Sequence, residues 1–392
     1  MSDITDRSLQ SLRQMMVDFR RDLHRHPELG FEETRTAAKI ACALRDLGIE
    51  VHEGIGGTGV VGVLRNGGGN RTIMLRADMD ALPIRETSTH EYISKNVGKM
   101  HACGHDGHST MLLGAASYLS ENHPFDGTVI FLFQPNEEHG LGAKAMLKDG
   151  LIAQFQPDEV YGIHNFPGAP LGEFSTRPGT ICASESLFEF EIFGQGGHAS
   201  MPHVGVDAIL IGAELVQALQ NIVARKLPPS SGAVVSVTEF ITDGQRNVLP
   251  GHAVLKGDTR SFTAEDRAEI ERLMRQIAKG IAMAHDVKID VQFRTEFMET
   301  VNAGEQVQAA IHAACGISDL VIPNRPQVSF SEDFGCLSDK IPGCFILMGN
   351  GTDYPHSQPL HASDYEFNEN ALTLGAAFWA RLVSERLPQK DT

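Results

Sequence analysis

The densest polar run in the chain is Met100-His101-Ala102-Cys103-Gly104-His105-Asp106-Gly107-His108. Cys103 and His105 lie two apart, so they cannot share a helix face. In a glycine-bearing turn that leads into a helix, however, they can converge on one metal ion. Thiolate and imidazole both suit zinc and other late divalent ions. The plain alternative, which that chemistry outweighs, is a helix start decorated with histidines by chance. A second cluster, Gln134-Pro135-Asn136-Glu137-Glu138-His139-Gly140, directly follows an apolar stretch. Adjacent carboxylates can divide the labour of a hydrolase, one holding metal while the other takes a proton from water. The plain alternative is a charged surface turn. His164, after Tyr161-Gly162-Ile163, and His361, in His356-Ser357-Gln358-Pro359-Leu360-His361, are single histidines that gain weight only from their company.

The elements that must position these residues follow from periodicity. Arg35 to Leu47 reads as a helix ending at Gly48, and Thr58 to Leu64 and Thr72 to Arg76 read as buried strands. His105 to Leu119 reads as a helix, with strands at Thr128 to Phe133 and Glu159 to Ile163. Strands alternating with helices predict an α/β domain around a mostly parallel sheet. Both clusters and His164 then sit at strand or helix ends, where open α/β sheets carry their sites.

Near residue 185 the pattern changes. Phe188, Phe190 and Ile192 alternate with Glu189 and Glu191, as in a sheet with one wet face. A helix with Ile209, Ala213, Val216, Leu219 and Val223 on one face is expected next, then strands over Ala233 to Phe240 and His252 to Arg260. Thr263 and Asp266 resemble a capping box that opens a helix with Ile270, Leu273, Ile277 and Ile281 on one face. Val287 to Phe293 closes the set as a strand. That order is ferredoxin-like. It predicts an inserted α+β domain at 185–296, with 1–184 and 297–392 forming the discontinuous catalytic domain.

Composition narrows the class. The 392 residues, 42% hydrophobic and 21% charged, suit two globular domains. A formal net charge of -17 argues against nucleic acid, which needs clustered Lys and Arg. No apolar run approaches the roughly 20 residues of a membrane span. The polar start, Met1 to Arg7, lacks the plan of a signal peptide, so a cytoplasmic location is expected. Six scattered cysteines then read as free thiols.

Several segments together resemble one family in sequence and order: His24-Arg25-His26-Pro27-Glu28-Leu29-Gly30, Leu75 to Pro83, Met100 to His108, Phe133 to Glu138, Gly194 to Ser200 and Ser331-Glu332-Asp333-Phe334. The family is that of the aminoacylase-type metallopeptidases, in the branch of hippurate hydrolase and indole-3-acetyl-amino acid (auxin conjugate) hydrolases. The resemblance spans nearly the whole chain. It implies that Cys103, His105, Glu138, His164 and His361 bind two divalent ions (zinc, manganese, cobalt or nickel), with the Cys103 thiolate between them. It implies that Glu137 is the general base, taking a proton from the attacking water and returning it to the leaving amine. Asp78 matches a carboxylate that orients a histidine or its metal.

The same resemblance gives the inserted domain roles as a lid and in dimerisation. His198 would stabilise the oxyanion in a partner subunit's site, although a lid-surface histidine reads the same. Asn247 and Arg260 match positions that hold the substrate's α-carboxylate, which Arg's fork suits. A strand-end salt bridge is the alternative for Arg260. His108, His139, His203 and His356 are left to supporting or solvent roles, and Asp106 and Glu332 to orienting ligands. The expected activity is hydrolysis of N-acyl amino acids by a homodimer or homotetramer. A dipeptidase or a biosynthetic deacetylase would use the same machinery. From another class, a non-catalytic metal-dependent binding protein would not need Glu137.

Overall fold

The computed structural model describes residues 6–389, so the polar start before Asp6 lies outside the described residues. The chain divides into two compact units, each taken here by itself.

The first unit runs to Ile181 and adds Thr300–Pro326 and everything from Asp333 on. Its eight-stranded sheet has the order Glu50–Ile55, Gly59–Asn66, Gly127–Gln134, Thr72–Asp78, Glu159–Pro167, Gly343–Gly351, Phe174–Ser175, Val321–Ile322. The middle four strands run parallel, and antiparallel pairings flank them. Nearly every residue of these four is buried, as continuous apolar runs in a parallel sheet require. Helix His105–Asn122 is buried through Leu119 and packs against helices Asp6–Arg25 and Ala371–Arg386. Its buried polar residues are hydrogen-bonded, as enclosure requires: Asp106 to His24, His108 to Asp78 and Ser109 to the Asp78 carbonyl.

The sheet's parallel centre places chemistry at its carboxyl edge. Asp78 ends one strand and Gln134 its neighbour, while His164 sits towards the end of a third. Open α/β sheets bind ligands outside those carboxyl ends.

The second unit comprises Cys182–Glu299 with Gln327–Glu332. Its antiparallel sheet has the order Val234–Thr242, His252–Ser261, Ser184–Phe193, Lys288–Phe297, which is the ferredoxin-like arrangement. Phe188, Phe190, Ile192 and Leu255 pack with buried faces of helices Ala208–Asn221 and Ala264–His285. The Thr263 side chain accepts from the Asp266 N–H at 3.1 Å, capping the second of these helices.

Two details differ from the periodicity reading. On the first helix the buried stripe is Ala208, Ile211, Gly212, Leu215 and Leu219, continuing to Ile222, whereas Ile209 and Val223 are exposed. Stepping from the wrong apolar residue rotated the expected face. In addition, the 19-residue helical stretch Ala208–Lys226 is long and apolar enough to cross a membrane by length and composition. Its buried face instead belongs to this unit's core.

Candidate metal centre

Gly104 separates the thiol from the first imidazole, and only glycine fits there. Its φ is 94°, and a Cβ would lie 2.3 Å from Asn165 Oδ1 and 2.7 Å from the Tyr365 hydroxyl. The turn it makes opens helix His105–Asn122 and leaves Cys103 and His105 both buried. Asn136, at φ 46°, makes the corresponding turn that carries Glu137 and Glu138. His361 is also left-handed, at φ 67°, with its N–H donated to the Ala102 carbonyl at 2.8 Å. Non-glycine residues held in that region mark backbone strained for a purpose.

These turns bring all five expected ligands together. Cys103 Sγ is 3.4 Å from His164 Nε2. Glu138 Oε1 is 3.8 Å from His105 Nε2, and its Oε2 is 3.4 Å from His361 Nε2. Donor atoms of Cys103, His105 and His164 lie within 4.8 Å of one another, as do those of Cys103, Glu138 and His361. Cys103 therefore belongs to both groups.

The hydrogen bonds fix the tautomers. His105 Nδ1 donates to the Asp80 carbonyl at 2.9 Å, and His164 Nδ1 donates to the Asn165 carbonyl at 2.7 Å. Carbonyls only accept, so in both rings Nε2 is the nitrogen turned into the cluster. His105 Nε2 and Glu138 Oε1 are buried and make no hydrogen bond. Two buried polar atoms facing each other at 3.8 Å without a hydrogen bond fit a cation that would displace a proton from Nε2.

Electrostatics agree. Burial, together with Asp80 and Asp78, pushes the Glu138 carboxyl up to about 8 despite the opposing His105. Burial and the neighbouring carboxylates of Glu138, Glu137 and Asp78 push the Cys103 thiol well up. Burial opposes a charge on His105, yet Asp78 and Asp80 hold it up to about 10. Burial and the neighbouring His108 push His164 well down. Anionic donors that resist ionising together are what a divalent cation relieves. The mixed sulfur, nitrogen and oxygen set fits zinc, cobalt, nickel or manganese.

A second layer holds the donors. Asp78 accepts from Arg76 Nη1 at 2.8 Å and pairs with His108 Nδ1 at 2.6 Å. His108 Nε2 faces Asn165 Oδ1 at 2.7 Å, so both its nitrogens are engaged in support. Asp80 faces His105 Nδ1 with Oδ1 at 3.2 Å and accepts the Glu138 N–H on Oδ2 at 3.1 Å. Arg76, fully buried, also reaches Gln134 Oε1 and Asp333 Oδ1, both at 2.9 Å. The Asp333 N–H in turn points at Glu137 Oε1 at 3.3 Å. Glu33, buried, accepts the Asn136 N–H at 2.9 Å. Arg76, Asp80, Glu33 and Asp333 had no assigned role from sequence. The available signal was an arginine inside an otherwise apolar strand, which demands a carboxylate partner.

The remaining expected residues are distributed as follows. Asp106 pairs with Arg20 and His24 rather than with a ligand. His139 is exposed, with Nδ1 2.7 Å from Asn136 Oδ1, and His203 is exposed in the turn Pro202–Val204. His356 is half-buried and Glu332 buried. In the second unit, Val248 pairs with His198 in a two-stranded antiparallel ladder between distant parts of the chain, which brings Asn247 and His198 together. Both are exposed. The Ser200 N–H donates to His198 Nδ1 at 3.1 Å, leaving Nε2–H as the outward donor. Arg260 lies at the far end of strand His252–Ser261. Its Nε pairs with Asp258 at 2.8 Å, Nη1 with Ser331 Oγ at 2.8 Å and Nη2 with Glu185 at 2.6 Å.

Residues 74–385 match the model of peptidase family M20/M25/M40. The chain is 40% identical to the hippurate hydrolase of Campylobacter jejuni, over 94% of this chain and 95% of that one. It is 35% identical to IAA-amino acid hydrolase ILR1-like 2 of Arabidopsis thaliana, over 96% and 86%. Among solved structures, the Bacillus subtilis YXEP protein, described as a dinuclear metal binding peptidase from the M20 family, superimposes with a TM-score of 0.85 at 32% identity, over 96% and 99%. With the family model covering most of its length and named hydrolases matching nearly all of it, this chain belongs to peptidase family M20/M25/M40 and is a metal-dependent amidohydrolase of linear amides.

Proposed function

We propose that this amidohydrolase cleaves the amide bond of N-acyl amino acids, releasing a carboxylic acid and a free amino acid. The observation that carries the reading is the five-donor cluster with Glu137 beside it at the sheet's carboxyl edge, enclosed except at His361, whose side chain is 51% exposed. Cys103, His105, Glu138, His164 and His361 would hold two divalent ions. Bound there, such ions acidify water and polarise the acyl carbonyl.

The chain's own groups do the rest. Glu137, whose Oε1 accepts the Asp333 N–H at 3.3 Å, takes the proton of the attacking water and passes it to the leaving nitrogen. Asp78 and Asp80 hold the imidazoles and the Glu138 backbone in place. His198 donates its Nε2–H to the oxyanion, and the tautomer set by Ser200 supports that role. Asn247 and Arg260 bind the α-carboxylate. Because Arg260 is already paired on all three nitrogens, the substrate exchanges with Ser331 at Nη1.

The likeness to a hippurate hydrolase at 40% identity makes benzoyl the first acyl group to try. The ferredoxin-like unit is read as the lid and as a dimerisation surface in a homodimer or homotetramer. Support comes from Ile209 and Leu210 on its helix, and from Phe240 and Ile241 on its edge strand, all exposed. The location is read as cytoplasmic.

The test is release of free amino acid from benzoyl, acetyl and aminoacyl conjugates by metal-reloaded enzyme. The expected order puts benzoyl first. Preference for the dipeptide would make the enzyme a dipeptidase instead.

A further inference from the structure

A second group of donors lies in the first unit and shares no residue with the centre described above. His24 ends helix Asp6–Arg25, and Glu86 and His90 sit on the segment that follows strand Thr72–Asp78. Glu86 Oε1 is 3.1 Å from His24 Nε2 and 3.1 Å from His90 Nε2. All three donor atoms lie within 4.8 Å of one another. The His24, Glu86 and His90 side chains are 0%, 2% and 11% exposed.

We propose that His24, Glu86 and His90 form a further divalent-cation site of the zinc type, a two-histidine, one-carboxylate set with room for water as a fourth ligand.

Each donor is oriented from behind, as metal ligands are. His24 Nδ1 faces the Asp106 carboxylate at 2.8 Å, the carboxylate–histidine–metal pattern that turns the Nε2 lone pair towards the site. The Ser94 N–H donates to Glu86 Oε2 at 2.6 Å and aims Oε1 inward. The His90 ring stacks on Tyr92 at 3.8 Å between centroids. Its buried Nδ1 makes no hydrogen bond, while Nε2 faces Glu86 Oε1.

With Nδ1 of His24 engaged by Asp106, the Nε2 atoms of His24 and His90 both face Glu86 Oε1 at 3.1 Å. Protons on the two rings can fill that space, and one metal ion can replace them by taking all three donors at once. Atoms 3.1 Å apart subtend about 95° at an ion about 2.1 Å from each. That angle lies between tetrahedral and octahedral coordination. The neighbouring cations are already matched, Arg20 by Asp106 at 2.9 Å and Arg21 by Glu369 at 2.7 Å, so the added charge faces neutralised neighbours. The ion would tie the first helix to the segment leading towards the Cys103 turn.

The test counts zinc in the full-length protein after stripping, reloading with Zn2+ and dialysis. Wild type is expected to hold one more ion per chain than either His90→Ala or His90→Gln, and both variants should keep their turnover. Anomalous scattering at the zinc edge should place a peak between His24, Glu86 and His90 that His90→Ala lacks. Equal counts with no such peak overturn the proposal and assign a proton to His24. A His105→Ala control separates this from the main centre. If His105→Ala keeps the full count while His90→Ala lowers it, the main centre is wrong and this site stands.

Discussion

In the unit that carries the donor cluster, polar side chains are buried and each is held by another: Arg76 on Asp78 and Asp333, Asp80 on His105 and Glu138, Asn165 on His108. In the ferredoxin-like unit the candidates stand in the open. His198 and Asn247 are exposed at a short two-stranded pairing, and Arg260 sits partly exposed at 24% in surface pairs. The difference fits the two tasks proposed for them. Holding multivalent ions needs donors preorganised in low dielectric, whereas groups that meet a substrate must be free to reach it.

The sharpest way to break this comparison is to remove one arginine from each unit. Arg76→Met strands two buried carboxylates and is expected to cost about 3–5 kcal/mol, read as a lowered urea midpoint. Arg260→Met removes part-exposed pairs and should cost no more than about 1 kcal/mol. Equal losses would mean that the buried network is not special. Next in size, His198→Ala should lower kcat by about a hundred- to a thousandfold with metal content unchanged. An unaltered kcat would return His198 to the surface. The smallest effect tests the second layer, where Asp80→Asn keeps shape but loosens His105 and the Glu138 turn. It should weaken metal affinity by about ten- to a hundredfold, read by competition with a chelator.

Much of the fold was legible because burial imposes periodicity. The alternation of Phe188, Phe190 and Ile192 and the apolar runs of the parallel strands each leave a local mark. The donor residues were legible as types and motifs. Their support was not, because it is made across distance: Arg76 and Asp333 lie 257 positions apart, and Glu33 meets Asn136 across 103. Nothing local signals such pairings beyond a charge in an apolar strand. Gln327–Glu332, which joins the second unit, has no periodicity to betray it. The helix face at Ile209 failed for the opposite reason, since apolar residues lie on both its sides and periodicity could not choose.

The central claim is that metal binding and proton transfer are divided between adjacent residues, Glu138 and Glu137. Its most direct test is Glu137→Gln, assayed with benzoyl amino acids beside a metal count on the same sample. The account predicts unchanged metal content and turnover reduced by about ten-thousandfold. Turnover near that of the wild type, or loss of metal with the substitution, would contradict it.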